Sequence, residues 1–324
     1  YWLSAQWQLI HGQSAQFAID KAIFWNKKSL DNVVTGYGQM VSAYIKLSVA
    51  NDLSQQGLAV GDNLVQALSI FKALNKQGSQ GEGAVAGDVL FVYGLLIGDR
   101  FRQMEAIDDL LADAEQLYST TLASDQLLAI NQRALLANMG FVRLHHLLNE
   151  MVGGQDVLDL GDEYLPAFQR SVEELKYEPI VLIDYAVIRL LMAGASSDVV
   201  INKHLSVANG LVLQAAEIYK GSQGVKMAQA MLLNWQAVLH PSGFGDVNLA
   251  FETTMSINPK WGLGYIFWAD AMLIRAKFSP TEKQRVKHLR GALSVLSVAQ
   301  DIDPLNKAFE KMAYTIESKL LAED

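Results

Sequence analysis

Three aspartates in one short segment are similar in arrangement to a divalent-cation site. Asp108, Asp109 and Asp113 lie close together, and Asp109 and Asp113 are four positions apart, so on a helix they share a face. Carboxylates spaced by one helical turn are ligands that Mg²⁺ accepts when it holds a diphosphate. The segment is one residue longer than the common form of such a site. A second aspartate triplet falls in a predicted loop: Asp156, Asp159 and Asp162. We therefore interpret the first cluster as a solvated helix face.

Two histidines and a glutamate form the next candidate for metal binding. His145, His146 and Glu150 fall in one predicted helix, and His146 and Glu150 are four positions apart. That spacing places both side chains on one helix face, where they could share a metal ion. Two ligands do not hold a metal tightly, and the sequence indicates no third. We interpret these residues as a polar helix stripe.

A glycine-rich segment matches a nucleotide-binding pattern. Residues 81–86 read GEGAVA and fit GxGxxA, but that pattern works only after a β-strand, and a helical stretch precedes it here. We predict a plain loop. The chain has no cysteine, which excludes thiolate catalysis and Cys-based metal sites. The sequence therefore predicts no catalytic residue, no cofactor and no metal site.

Composition favours a large helical core and argues against nucleic-acid binding. Hydrophobic residues make up 51% of the 324 residues, charged residues 19%, and only six prolines occur. The net charge of −8 repels phosphate backbones. No apolar run approaches the roughly 18 residues needed to span a bilayer. The chain starts YWL without an initiator methionine, so we expect a piece of a longer protein. We expect it in the cytoplasm, or in the periplasm if a membrane segment precedes residue 1.

Proline spacing indicates an internal repeat. Pro259 and Pro304 end the similar phrases SINP and DIDP and lie 45 residues apart, and Pro179 precedes Pro259 by 80. Small or apolar residues recur at offsets of four and three, on one helix face. These sets are Ala67, Phe71 and Leu74; Ala208, Val212 and Ala215; Val247, Phe251 and Thr254; and Ala292, Leu296 and Ala299. Because an apolar helix precedes each set, the pattern predicts about seven helical hairpins.

The predicted hairpins divide the whole chain. Their approximate boundaries are 1–30, 31–79, 80–121, 122–179, 180–221, 222–260 and 261–304, with a final helix at 305–321. No stretch between them is long enough to be an obvious interdomain linker, so we predict one domain over 1–324. The last hairpin is unusually long, with about eleven extra residues between its helices, including residues 278–284.

The last hairpin carries a full set of residues that resembles the signature of the tetratricopeptide-repeat (TPR) family. The set is Tyr265, Trp268, Ala269, Met272, Ala292, Leu296, Ala299 and Pro304. The lengthened repeats look like those that follow the kinase domain in some bacterial serine/threonine protein kinases, although no kinase motif is present. The resemblance implies an all-α, right-handed superhelical solenoid of about seven TPR-like units plus a terminal helix. It also implies a concave wall, built from the first helix of each pair, that binds partners.

The resemblance favours a protein-interaction scaffold over an enzyme. We expect a peptide, a partner helix or an adjacent domain in the concave groove, with this region regulating a larger signalling protein. Helical phase selects six candidate contacts: Arg133, Asn138, Arg143, Asn234, Trp235 and Asp270. The two tryptophans at 235 and 268 are more typical of a core than of a ligand platform. The alternatives are an isoprenoid-synthase-like enzyme with a Mg²⁺–diphosphate site, an (α/α) toroid hydrolase, or a module that assembles with a second copy.

Overall fold

The computed structural model describes residues 1–10, 14–56, 58–77, 85–124, 127–240 and 246–321. All regular secondary structure in those ranges is α-helical, which confirms the predicted all-α class. The helices are α1 (Trp2–Ile10), α2 (Gln16–Asn32), α3 (Gly36–Gln55), α4 (Gly61–Gln77), α5 (Ala86–Gln103), α6 (Asp108–Leu122), α7 (Ala129–Gly153), α8 (Leu158–Glu174), α9 (Pro179–Ala195), α10 (Asp198–Ile218), α11 (Gln223–Leu239), α12 (Val247–Met255), α13 (Gly262–Lys277), α14 (Glu282–Ile302) and α15 (Lys307–Leu321). None of these helices is both long and apolar enough to cross a membrane.

Consecutive helices coincide with the predicted hairpins. Each predicted unit contains one pair, from α1–α2 to α13–α14, and α15 is the predicted final helix. Three helices, α2, α6 and α9, extend across a predicted unit boundary, and each does so by at most two residues. Helices pack in neighbouring pairs, so the prediction of paired helices is confirmed. The stripe at Ala292, Leu296 and Ala299 is fully buried, as its spacing predicts.

Two local predictions are wrong. Asp159 and Asp162 lie inside α8 instead of in a loop, because Tyr164 and Phe168 continue an apolar stripe that buries this helix. Asp156 alone precedes the helix, and its carboxylate accepts a hydrogen bond from the backbone N–H of Leu158 at 2.9 Å. The extra length of the last hairpin is mostly helical as well, since α14 begins at Glu282.

The chain forms two compact units, Tyr1–His146 and Leu147–Asp324, which we call unit 1 and unit 2. Their border falls within α7. In unit 1, α1 packs on α2 and α3, and the chain continues with α2 on α3, α3 on α4, α4 on α5 and α5 on α6. The segment 129–146 of α7 lies directly against glycines of α5. A Cβ added at Gly94 would stand 2.4 Å from Cδ1 of Phe141, so only glycine permits this approach.

Unit 2 is built around α9. Thirteen consecutive residues of this helix, 181–193, are buried, which is typical of a helix enclosed on every side. Helix α9 contacts α8, α10 and α11, and α11 in turn contacts α10, α12 and α13. The first helices of successive hairpins (α9, α11 and α13) therefore touch one another as well as their own partners. Helices α14 and α15 complete the unit by packing in sequence after α13.

Candidate functional site

The candidate residues of unit 1 occupy one helix, α7, and two of them hold helices together. Arg143 makes a bidentate ion pair with Glu115 of α6, with both N···O distances 3.0 Å, and its guanidinium lies over the ring of Tyr118. Asn138 donates from Nδ2 to the backbone oxygen of Gly87 at 2.8 Å. Arg133 is exposed. Arg143 and Asn138 thus have structural contacts, and a role of these three residues in partner binding stays a prediction.

Two of the candidate residues in unit 2 are buried between helices. Trp235 is 1% exposed and packs edge-on against the ring of Phe278, with 5.7 Å between the ring centroids. Asn234 is equally buried and donates from Nδ2 to the backbone oxygen of Ala271 on α13 at 3.1 Å. Its Oδ1 has no partner among the described residues. A ligand would have to displace part of the α11–α13 packing to reach either side chain.

Asp270, the sixth candidate, lines a cavity of about 350 Å³ in unit 2. We call it the unit 2 cavity. It is bounded by the C-terminal end of α7 and the residues after it, the C-terminal end of α9, the C-terminal half of α13, and α15. Its walls are mainly aliphatic, with Leu191, Leu273, Ile274 and Met312 among them. This size is at the lower end of the range for small-ligand pockets, and mostly apolar walls with few polar groups are typical of such sites.

The carboxyl group of Asp270 has no hydrogen-bond partner among the described residues. Burial raises its pKa to about 7, and the positive charge of Lys319 on α15 acts in the opposite direction. Asp270 is half-buried, so its carboxyl group keeps some access to water, but a carboxyl group beside apolar walls is more stable when a hydrogen-bond donor or a cation pairs with it. Asp270 is therefore an acceptor for which this part of the chain supplies no donor.

Two lysines lie at the edge of the unit 2 cavity, and they differ in their contacts. Lys277 donates from Nζ to the backbone oxygen of Gly194, near the carboxyl end of α9, at 2.8 Å. A cation there also offsets the partial negative charge of the helix end. Lys319 is exposed and makes no ion pair within the described ranges. Among the described residues, these lysines and Asp270 are the titratable groups that line the cavity.

A second carboxyl group, Asp184 on α9, resembles Asp270 but does not line the unit 2 cavity. Its side chain is buried, and burial raises its pKa to about 7. No hydrogen-bond partner for it occurs in the described part of the chain. The two residues cannot be distinguished by their position on a helix face, but they differ in that Asp270 lines the unit 2 cavity and Asp184 does not. Asp184 consequently serves as a matched control for Asp270.

The aspartate cluster considered for Mg²⁺ is engaged in contacts within unit 1. Asp113 accepts hydrogen bonds from Oη of Tyr93 at 2.7 Å and from Nζ of Lys72 at 3.2 Å, and the first of these bonds is the larger cause of its lowered pKa. Asp109 pairs with Arg100. These contacts agree with a solvated helix face and leave the two carboxylates committed to neighbours on α4 and α5.

His145 is a core residue. Its Nδ1 donates to the backbone oxygen of Phe141 at 3.0 Å, and burial lowers its pKa, which keeps the ring neutral. The ring packs against Gly98, whose added Cβ would lie 3.0 Å from Cδ2 of His145. Over the described residues, no group of three or more His, Asp or Glu side chains is arranged to hold a metal ion. The glycine-rich residues 81–84 lie outside the described ranges.

No protein-family model matches this chain, and neither a curated protein nor a solved structure matches it. Its membership of the TPR family, suggested by the residues of the last hairpin, stays a prediction. The function of the molecule is therefore inferred from its own residues, and Asp270 is a candidate contact that lines a cavity.

Proposed function

We propose that this chain is a TPR-like helical-repeat scaffold that binds a segment of a partner protein, and that the unit 2 cavity is where the segment is anchored. The observation that carries the proposal is an aliphatic cavity with an unpartnered carboxyl group, that of Asp270, in its wall. Binding sites gain affinity from apolar burial around a few polar anchors, and this cavity offers both.

The helices that line the cavity support a TPR-like arrangement. In that family the first helix of each hairpin faces the binding groove, and the cavity is lined by α9 and α13, which are first helices, but not by their partners α10 and α14. Contacts between first helices of successive hairpins, α9 with α11 and α11 with α13, are those of a stacked repeat. We extend the proposal to a right-handed superhelix. Since the repeats resemble those of bacterial kinases, a neighbouring domain of a longer protein is one partner to test.

A peptide selection with cavity-blocking variants tests the proposal. Random peptides displayed on phage are selected against the whole chain, and the binders are synthesised and titrated calorimetrically. Thr315→Trp and Ala195→Trp each place an indole at a residue that lines the cavity. Ser318→Trp, at an exposed position on α15 that does not line it, is the matched control.

We expect the two blocking variants to weaken peptide binding at least tenfold and the control to leave it unchanged, with all three unfolding at similar temperatures. Two blocking sites are used because Ala195 is exposed and tolerates a larger side chain even if half-buried Thr315 does not. Selected peptides that bind both blocked variants as tightly as the original chain would refute the proposal.

A further inference from the structure

We infer that the unit 2 cavity recognises a basic side chain, lysine or arginine, whose aliphatic stem lies along the apolar walls and whose cationic head binds the carboxylate of Asp270. This inference rests on the proposed function, because it names the chemical group by which the partner segment is held. It requires no chemistry beyond hydrogen bonding and burial.

The first step is that the carboxyl group of Asp270 has no hydrogen-bond donor among the described residues. Asp270 is half-buried, and an ionised carboxylate beside apolar walls only accepts hydrogen bonds, so it favours a ligand that donates them. The positive charge of Lys319 acts on it without a hydrogen bond. A donor that enters with a ligand would satisfy the carboxylate. A charged donor does this best, since charge-assisted hydrogen bonds are the stronger kind.

The second step is the order of charges in the cavity. The acidic group belongs to the wall, and the basic groups lie on exposed residues. Lys277 is already bound to the oxygen of Gly194 at 2.8 Å, so its ammonium is committed to the end of α9. An acidic ligand would be attracted by Lys319 but would meet Asp270 inside. A basic ligand would be repelled by Lys319 and attracted by Asp270. Because Lys319 competes with the ligand for the carboxylate of Asp270, it raises the dissociation constant of the ligand.

The third step is the shape of the walls. Leu191, Leu273, Ile274 and Met312 present aliphatic surface beside Asp270. Lysine and arginine are the side chains that combine a run of methylenes with a cationic end. Each methylene transferred from water to such a surface strengthens binding about fourfold. A basic side chain thus matches both the apolar length of the cavity and its single acceptor.

Small probes test the inference independently of any peptide. The whole chain is titrated at pH 8 with n-pentylamine, with 1-pentanol as its neutral counterpart and with hexanoate as an anion, and binding is followed by nuclear magnetic resonance. We expect the amine to bind at least tenfold more tightly than the alcohol or the anion. In Asp270→Asn that preference should disappear, whereas Asp184→Asn should retain it. In Lys319→Gln the amine should bind several-fold more tightly.

The pH dependence of the same titration is a second readout. An alkylamine stays protonated from pH 6 to pH 8, so only the protein side changes. Lys319 and Lys277 are the other titratable residues, among those described, that line the cavity. Because the pKa of Asp270 is about 7, its ionised fraction falls about tenfold between pH 8 and pH 6. We expect amine affinity to fall by the same factor in the original chain and to be independent of pH in Asp270→Asn.

The outcomes separate this inference from the proposed function. If selected peptides need the open cavity but no basic residue, and pentylamine binds no better than pentanol, the basic-side-chain inference is wrong while the scaffold proposal stands. If replacing the basic residue of a selected peptide with norleucine costs tenfold or more in Asp270-containing chain and little in Asp270→Asn, both stand. If neither peptides nor amines respond to Thr315→Trp or to Ala195→Trp, both fail.

Discussion

Lys277 and Gly194 join two helices that lie far apart in the sequence. The Nζ of Lys277, at the end of α13, donates to the backbone oxygen of Gly194, near the end of α9, at 2.8 Å. These are the first helices of hairpins that are not consecutive, and the contact spans 83 sequence positions. Beside it, a Cβ added at Gly194 would be 3.4 Å from Cδ1 of Ile274, an ordinary packing distance. This contact borders the unit 2 cavity.

Replacing Lys277 by methionine tests how much the contact with Gly194 stabilises unit 2. The substitution keeps an aliphatic side chain of similar length and removes the hydrogen bond and the charge near the helix end. We expect the free energy of unfolding to fall by about 0.5–1 kcal/mol, a modest value because the lysine is exposed. Chemical denaturation measures it. Lys283→Met, at an exposed lysine on α14, is the control, and an equal loss in both variants would contradict a specific role for the contact.

Two glycine-to-alanine substitutions should have opposite effects. At Gly94 on α5 the new methyl group would lie 2.4 Å from Cδ1 of Phe141, so α5 and α7 would have to separate, at a cost of about 1–3 kcal/mol. A Cβ added at Gly210 on α10 would meet no neighbouring atom within 4 Å. Alanine at this position should therefore stabilise the helix by about 0.5–1 kcal/mol. Thermal unfolding of the two variants distinguishes them. Stabilisation by Gly94→Ala would mean that the close approach of α5 and α7 is not present in solution.

The buried carboxyl group of Asp184 predicts a loss of stability as pH rises. Its pKa in the folded chain, about 7, is above its unfolded value of 3.8, so the folded state binds more protons between these pH values. The free energy of unfolding should therefore fall from about pH 4 to pH 7 and level off above that. Each pKa unit corresponds to about 1.4 kcal/mol.

Asp184→Asn should remove this contribution and raise the free energy of unfolding at pH 8 by up to about 4 kcal/mol, the equivalent of about three pKa units, with little change near pH 4. Denaturant titrations at both pH values give the difference between the variant and the original chain, in which the contributions of other groups cancel. A difference that is the same at pH 4 and pH 8 would show that Asp184 does not titrate in this way.

Helical hairpins could be predicted from the sequence because burial in a helix repeats every three to four residues. Ala292, Leu296 and Ala299 follow that period, and they are buried as expected. The sequence-based prediction failed at Asp159 and Asp162, which we placed in a loop but which lie inside α8. Gly161 instead lets α8 approach α9, since a Cβ there would lie 2.7 Å from Sδ of Met192. A single sequence does not distinguish a glycine that close helix packing requires from a glycine in a turn.

The candidate site could be predicted only in part, because helical phase says which face a residue occupies but not what covers that face. Asp270 and Asn234 were selected by the same argument. Asp270 borders a cavity, whereas Asn234 lies in the seam between α11 and α13. The cavity itself depends on contacts such as that of Lys277 with Gly194, and no local pattern reveals a contact over so many residues. Lys319 was missed for the same reason.

Methyl nuclear magnetic resonance of the whole chain, recorded during titration with a selected peptide, shows whether the unit 2 cavity binds a partner segment. Leu191, Leu273, Ile274 and Met312 supply methyl groups in the cavity wall, and Leu135, in the core of unit 1, supplies a reference. We expect the methyl signals of the cavity residues to shift in saturable fashion while that of Leu135 does not. Saturable binding with unchanged signals from all four cavity residues would contradict it.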